Sequence, residues 1–263
     1  MPYAVAIGNH DTSPQLNKYF NNETYNAMLE GTYDGKIENA YTTFTVGNHK
    51  YLLLILGIGP EDTILEWAGQ VIEAHPDHNV IVTTHCYMDD DGTTLDRGDG
   101  GAAVFNGGYN NGDDMWNKLF SKYENISLVV CGHISTEQVM VTRTEGVNGN
   151  MVTQMITDFQ TEDHIYAGGL GIVTMLYFSE DGKDVHVVNY SANYDKYFMD
   201  TNQFTTQVEL MVPPVCAVTD EDGNTTEYRV LADALAVGKG TVKLLADAEV
   251  DTLILQPGMT LDL

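Results

Sequence analysis

Three histidines each follow directly after a short apolar segment of the kind that forms a buried strand. His10 follows residues 3–7 within Gly-Asn-His-Asp, His85 follows Val-Thr-Thr, and His133 follows Val-Cys-Gly. The carboxyl ends of neighbouring strands in α/β sheets share one edge, so imidazoles remote in sequence can meet there. Neutral imidazole nitrogens and an amide oxygen such as that of Asn9 can bind Zn, Fe or Mn. The pattern therefore predicts a metal site at this edge.

Each histidine taken alone has a simpler interpretation. A histidine after a strand is more often a loop residue or a hydrogen-bonded core residue than a metal ligand. The metal hypothesis depends on three such residues in register, one of them inside Gly-Asn-His-Asp and one after Cys-Gly.

The segments around these histidines alternate between strand and helix patterns and then become all strand. The apolar spacing predicts helices over 60–75 and 113–123. It predicts an α/β sandwich of mixed sheets flanked by helices. The expected strands are 3–7, 40–46, 50–58, 79–84, 126–131, 138–144, 151–157, 172–178 and 185–190, followed by a helix over 231–237 and strands over 241–245, 250–255 and 259–263.

The three motifs resemble those of a known enzyme family. Gly8-Asn-His-Asp11, the strand-terminal His85 and Gly132-His-Ile-Ser135 are similar to the third, fourth and fifth motifs of the calcineurin-like metallophosphoesterases. Their order and spacing agree, and the resemblance covers roughly residues 3 to 200. It implies a metallophosphoesterase-type β-sandwich flanked by helices.

The resemblance also implies a role for each motif residue. Asn9, His85 and His133 match the ligands of the family's second metal. His10 matches the imidazole that stabilises the phosphoryl group and protonates the leaving oxygen, and Asp11 would orient it. The implied reaction is hydrolysis of a small phosphate mono- or diester with two divalent metals, Mn, Fe or Zn, which activate the attacking water.

The sequence departs from the family pattern in two places. The motifs Asp-x-His and Gly-Asp-x-x-Asp, which hold the first metal, should precede Gly8 by tens of residues, but only seven residues do so. Ser135 stands where the family has the second histidine of Gly-His-x-His. Asp184-Val-His186 matches Asp-x-His, but its alternating strand pattern predicts a solvent-facing position. We therefore expect a domain without its first strands, with one metal rather than two and with weak or no activity alone.

Three further residues are candidates for the substrate side of the site. Tyr87 follows His85 closely and could stack on a leaving group, at the start of the acidic loop 87–96. The alternative is that this loop is simply solvated. Ser135 and His164, the latter near a Gly-Gly pair, are the other two candidates.

Composition excludes several partners. With 38 acidic and 12 basic residues and a net charge of -26, the chain lacks the basic surface that nucleic acids or anionic membranes require. It contains no apolar run long enough to span a membrane and no signal peptide. A phosphoester substrate would need bound cations to attract it.

The sequence predicts a metallophosphoesterase domain over 1–204 and a second segment over 205–263. Residues 240–247 and 257–263 resemble the start of a β-repeat module of bacterial surface proteins. This implies a longer extracellular or cell-surface bacterial protein, whose missing N-terminal half could be a partner of this chain. The alternative function is a non-catalytic scaffold or glycan-binding module on a degenerate phosphoesterase fold.

Overall fold

The computed structural model describes residues 4–11, 13–20, 28–99, 109–160, 169–179, 181–211, 213–246 and 252–262. Its helices are α1 (Ser13–Tyr19), α2 (Asp62–Glu73), α3 (Gly112–Lys118) and α4 (Leu231–Ala236). Its strands are β1 (Gly31–Tyr33), β2 (Lys36–Val46), β3 (His49–Ile55), β4 (Asn79–Cys86), β5 (Ile126–Gly132), β6 (Met140–Glu145), β7 (Met151–Ile156), β8 (Ile172–Phe178), β9 (Asp184–Ser191), β10 (Lys196–Tyr197), β11 (Phe204–Gln207), β12 (Cys216–Thr219), β13 (Thr225–Tyr228), β14 (Gly240–Leu244) and β15 (Met259–Asp262). The protein is thus mixed α/β with more strand than helix, as the sequence predicts.

The chain forms two compact units. The first comprises residues 1–46 and 50–211, and the second comprises 47–49 and 212–263. The predicted boundary after residue 204 is therefore too early. Strand β11 still pairs with β9, and the Met211 N–H donates to Oδ1 of Asn79 at 2.5 Å. These long-range hydrogen bonds hold the segment up to Met211 on the first unit.

A seven-stranded sheet forms the centre of the first unit, in the order β1-β2-β3-β4-β5-β7-β6. Its strands β3, β4, β5 and β7 run parallel to one another. Their carboxyl ends consequently lie along one edge of the sheet, as the sequence pattern predicts. The outer strands β1 and β6 pair antiparallel with β2 and β7.

Side-chain alternation along these strands builds two cores. In β3 and β4, Leu52, Leu54, Val80 and Val82 have no exposed surface and pack with residues of α2 and α3. Their sequence neighbours point to the other face, where they meet the second sheet. The contacts of that second core include Tyr51 with Phe178, whose ring centroids are 6.2 Å apart.

The second sheet is antiparallel. Strand β9 pairs with β8 on one side and with β10 and β11 on the other. Val187 of β9 packs against Met155 of β7 and Val139, so this sheet covers the face of the first sheet that lies opposite the helices. The first unit is therefore a sandwich of helices, a mixed sheet and an antiparallel sheet.

The second unit is a small β structure with one helix. Its strands follow the order β13-β12-β14-β15, with β14 and β15 parallel and the other pairs antiparallel. Cys216, Val218 and Val242 form its core with Leu231 and Ala234 of α4. The predicted helix at 231–237 and the strands at 241–245 and 259–263 are confirmed to within two residues.

Two predicted strands are wrong where the structure describes them. Residues 4–8 have no regular secondary structure and pair with no described strand, and 252–255 are not strand either. Local composition marks a segment as able to form a strand, but a strand also needs a neighbour to bond to. Helix α1 and strand β11 were not predicted, because both are short and have weak periodicity.

The first core depends on close packing, and substitution of Val82 tests this. We expect Val82→Ala to lower the free energy of unfolding by roughly 2 kcal/mol, because it removes two fully buried methyl groups and leaves a cavity. Urea denaturation followed by circular dichroism measures this. The control is Val173→Ala in β8, where the valine is 51% exposed. That change should cost less than about 0.5 kcal/mol, and equal losses in the two variants would contradict the assigned core.

Candidate metal centre

Residues 8–11 form a closed turn. The Gly8 N–H donates to Oδ2 of Asp11 at 3.0 Å, and the Asp11 N–H donates back to the Gly8 carbonyl at 3.1 Å. This pair of hydrogen bonds leaves Asn9 and His10 exposed at the tip of the turn. The turn therefore presents an amide and an imidazole side by side.

His85 and His133 come together because β4 and β5 are parallel neighbours. The pairing aligns Cys86 with Gly132, so the residues beside them lie at the same level of the sheet edge. The two imidazole rings are 4.9 Å apart, centroid to centroid, at an angle of 68°. Two histidines 48 positions apart in the chain thus share one location.

Three donor atoms from three segments converge here. Nε2 of His85 lies 2.9 Å from Oδ1 of Asn9, and Nδ1 of His133 lies 3.2 Å from the same oxygen. The two ring nitrogens are 3.2 Å from each other. These are the three residues that the sequence predicts as ligands of one metal.

The triangle of donor atoms fits one transition-metal ion. For metal–ligand distances of about 2.1 Å, neighbouring donors lie about 3.0 Å apart in octahedral and about 3.4 Å apart in tetrahedral coordination. All three observed separations are close to this range. The same distances would suit two imidazole N–H groups that donate to the Asn9 oxygen, and the two arrangements differ in whether those nitrogens carry protons.

The surroundings of His85 favour the form of imidazole that binds metals. Burial lowers the pKa of His85 below its usual 6.5, and the nearby His133 and His10 lower it further. Asp158 and Asp11 oppose this shift but do not cancel it. His85 is therefore neutral at pH 7, and its nitrogen lone pair is available to a metal.

Asp158 shapes the site and was missed by the sequence analysis. Its Oδ2 accepts the His133 N–H at 2.9 Å, and its carbonyl accepts the Thr136 N–H at 2.6 Å. His133 has a φ of 79°, which L-residues rarely adopt. The carboxylate thus holds His133 in a conformation that costs about 1–3 kcal/mol. The signal was present, since Asp158 follows β7 as His133 follows β5.

Asp11 acts differently from the prediction. It was expected to orient the imidazole of His10, but its carboxylate accepts the backbone N–H of Gly8. No hydrogen bond joins Asp11 to His10 among the residues that the structure describes. Asp11 therefore fixes the turn that carries His10, while the ring of His10 stays exposed.

Of the predicted substrate-side residues, Tyr87 does not reach the site. Tyr87 has no exposed surface, stacks edge-on against Phe120 and donates its hydroxyl to Gln154, so its predicted contact with a leaving group is wrong. Strand β4 ends at Cys86, so Tyr87 no longer follows the alternation of the strand and instead packs with Val80 and Val82 in the first core. The Ser135 hydroxyl donates to the Gln160 carbonyl. His164 lies outside the described residues.

Other potential ligands do not form a second cluster. In the described ranges no group of three or more His, Cys, Asp and Glu side chains is arranged to hold a metal; the triangle above has an amide as its third member. Asp184 and His186 are both exposed on β9, as predicted. Burial raises the pKa of Cys86 and of Cys131 to about 12, so both remain thiols.

Comparison with known proteins gives one distant relative. No family model matches the chain. An uncharacterized protein of Bacillus subtilis strain 168, YvnB, is 26% identical over 218 residues, which cover 78% of this chain and 15% of YvnB. The chain therefore spans about 15% of the length of this curated relative. None of the described helices is long and apolar enough to cross a membrane.

Gly8 allows the turn to approach His85, and replacing it tests this approach. A Cβ at Gly8 would lie 3.0 Å from both Cε1 and Nε2 of His85. We expect Gly8→Ala to displace the ring and to weaken Mn or Zn binding about 10-fold or more, as for other residues that position ligands. Isothermal titration calorimetry measures this.

Gly132→Ala is the matched control for this substitution. It also adds one methyl group beside the site, but its nearest contact is Oδ2 of Asp158 at an ordinary 3.4 Å. Its metal affinity should stay within about threefold of wild type. An unchanged affinity in Gly8→Ala, with both variants folded, would contradict the close approach.

Proposed function

We propose that this chain is part of a metal-dependent phosphoester hydrolase domain of the calcineurin-like metallophosphoesterase type. The observation that carries the proposal is the triangle of Asn9, His85 and His133, with donor atoms 2.9–3.2 Å apart at the carboxyl edge of parallel strands. These are the three positions that the resemblance assigns to one metal. The motif match rests on sequence alone, so the short distances between these three side chains in the fold are independent support for the proposal.

The charge of the chain is also consistent with a metal at this site. With a net charge of -26, the protein repels an anionic phosphoester at long range. A bound divalent cation would supply the attraction, polarise a phosphoryl oxygen and activate a water molecule. The neutral imidazole of His85 can bind such a cation without loss of a proton.

The chain's own residues have separate tasks in this proposal. Asn9, His85 and His133 hold the cation, and Asp158 keeps His133 in its unusual backbone conformation. His10, exposed beside Asn9 on the same turn, is the candidate general acid that protonates the leaving oxygen. Asp11 closes the turn and so sets the direction from which His10 can act.

We expect the activity of this chain by itself to be weak, because Asn9, His85 and His133 would hold one metal and the proposed reaction uses two. Two divalent ions, Mn, Fe or Zn, belong to the complete domain, and this chain holds one of them. The substrate class is a small phosphate mono- or diester. We further propose that the second unit begins a β-repeat region of a longer extracellular or cell-surface bacterial protein.

One observation favours a second function, that of a non-catalytic scaffold or glycan-binding module. Ser135 stands at the position of the family's second histidine, and its hydroxyl donates a hydrogen bond to the Gln160 carbonyl. A hydroxyl in that position cannot replace an imidazole on a transition metal. A scaffold would keep the fold and lose the chemistry, and the experiments below separate these two functions.

Metal content is the first test of the proposal. After equilibration with manganese and zinc followed by desalting, elemental analysis should find about one metal per chain. His85→Ala should lose it, because only two donors remain. His186→Ala is the control, since His186 is an exposed histidine outside the triangle. If the wild-type protein binds no metal, the scaffold function is favoured. If His85→Ala and His186→Ala contain equal amounts of metal, the metal is bound outside the triangle.

His10 separates metal binding from catalysis. We expect slow metal-dependent hydrolysis of p-nitrophenyl phosphate or bis-p-nitrophenyl phosphate by the wild type. His10→Ala should lower kcat about 10²- to 10⁴-fold, as expected for loss of a general acid, with unchanged metal content. A variant that keeps full turnover would remove His10 from the mechanism. Metal binding without any turnover in the wild type would support the scaffold.

A further inference from the structure

Strand β8 forms a sheet edge unlike the others in the described part of the chain. It is seven residues long, Ile-Val-Thr-Met-Leu-Tyr-Phe, and carries no charged side chain. Among described strands it pairs with β9 alone. Natural proteins usually protect such edges with charges, prolines, bulges or very short strands, because unpaired N–H and C=O groups recruit further strands.

The remaining edge strands show these protections. Strands β1, β10 and β11 are short, with three, two and four residues. Strand β6 carries Arg143 and Glu145. The four-residue strands β13 and β15 contain Glu227 and Asp262. The long uncharged edge of β8 is therefore an exception within the described structure.

The side chains of β8 are less buried than those of β9. None of its seven residues is fully buried, although six are apolar or aromatic. Val173 is 51% exposed and Tyr177 is 55% exposed. In the adjacent strand β9, Val185, Val187, Val188, Asn189 and Ser191 are all buried. Ile172, Leu176 and Phe178 of β8 are only half-buried, although the β9 residues that pair with them are buried, so one more strand beside β8 would cover further apolar surface.

We propose that this edge pairs with β8 of a second copy of the chain, antiparallel and about a two-fold axis at Met175. In this register Val173 lies opposite Tyr177 of the second copy, and Ile172 lies opposite Phe178 of the second copy. Each pair joins a β-branched residue to an aromatic one, which is a favourable cross-strand combination. The sequence of β8 is thus complementary to itself.

The absence of charged side chains on β8 also favours self-association through this edge. Two chains of charge -26 repel each other over most of their surfaces. The proposed contact is uncharged along the whole of β8, so it brings no carboxylates face to face. A two-fold contact of this kind is closed and ends at the dimer. Because one strand pair buries little area, the dimer is a weak one, with a Kd in roughly the micromolar range or above.

Sedimentation velocity over a range of protein concentrations tests the dimer. Wild type should move from monomer to dimer as concentration rises. Met175→Lys places two ammonium groups opposite each other on the axis and should raise the dimer Kd at least about tenfold. The control is His186→Lys, which adds a lysine to the same face of the same sheet on the interior strand β9, opposite Tyr177 within one copy. It should dimerise like wild type.

Hydrogen exchange locates the contact independently of any variant. Amides of β8 that do not bond to β9 should exchange slowly at high protein concentration and quickly at low concentration. A wild type that stays monomeric at all concentrations overturns the proposal. A dimer that persists in a folded Met175→Lys variant, or that leaves the β8 amides unprotected, also overturns it. The experiment needs no metal, so its result is independent of the proposed hydrolase function.

Discussion

The parallel pairing of β4 with β5 is the constraint on which the candidate site depends. This pairing aligns Cys86 with Gly132 and so brings the two neighbouring histidines to one level of the sheet edge. A slip of one residue would turn the side chains of one strand to the opposite face. The buried valines on the helix side of these strands resist such a slip, because they would have to leave the core. The core therefore fixes the pairing of the two strands, and a one-residue shift of register between Thr83 and Cys86 sets the final alignment beside the histidines.

The third donor reaches the site without belonging to the sheet. Residues 4–8 pair with no described strand, yet the turn they lead into holds Asn9 within 3.2 Å of both imidazole nitrogens. Two local features make this possible: the hydrogen bonds between Gly8 and Asp11 that close the turn, and the absence of a side chain at Gly8. A segment outside the sheet thus completes a site whose other two members follow paired strands.

Most acidic side chains contribute to the negative charge of the whole protein, whereas two carboxylates near the site hold its backbone in place. The overall charge of -26 repels anions, but the two carboxylates close to the imidazoles each have a structural task. Asp158 holds the backbone of His133, and Asp11 holds that of Gly8. Each carboxylate accepts a backbone N–H group, and both also act on His85, whose pKa they raise against the larger effect of burial. Strand β8 differs from the rest of this acidic protein in that it carries no charged side chain.

The sequence by itself determined the local elements and the candidate ligands. Helix α2, strands β4, β5 and β8 and the position of each histidine after a strand follow from apolar periodicity and length, which are local properties of the chain. Only the tertiary structure decided the contacts between segments that are far apart in the chain. It buried Tyr87, joined Asp158 to His133 across 25 positions, left residues 4–8 unpaired with any described strand and extended the first unit to Met211. Each of these outcomes depends on contacts between residues far apart in the chain, and a single sequence carries no direct record of such contacts.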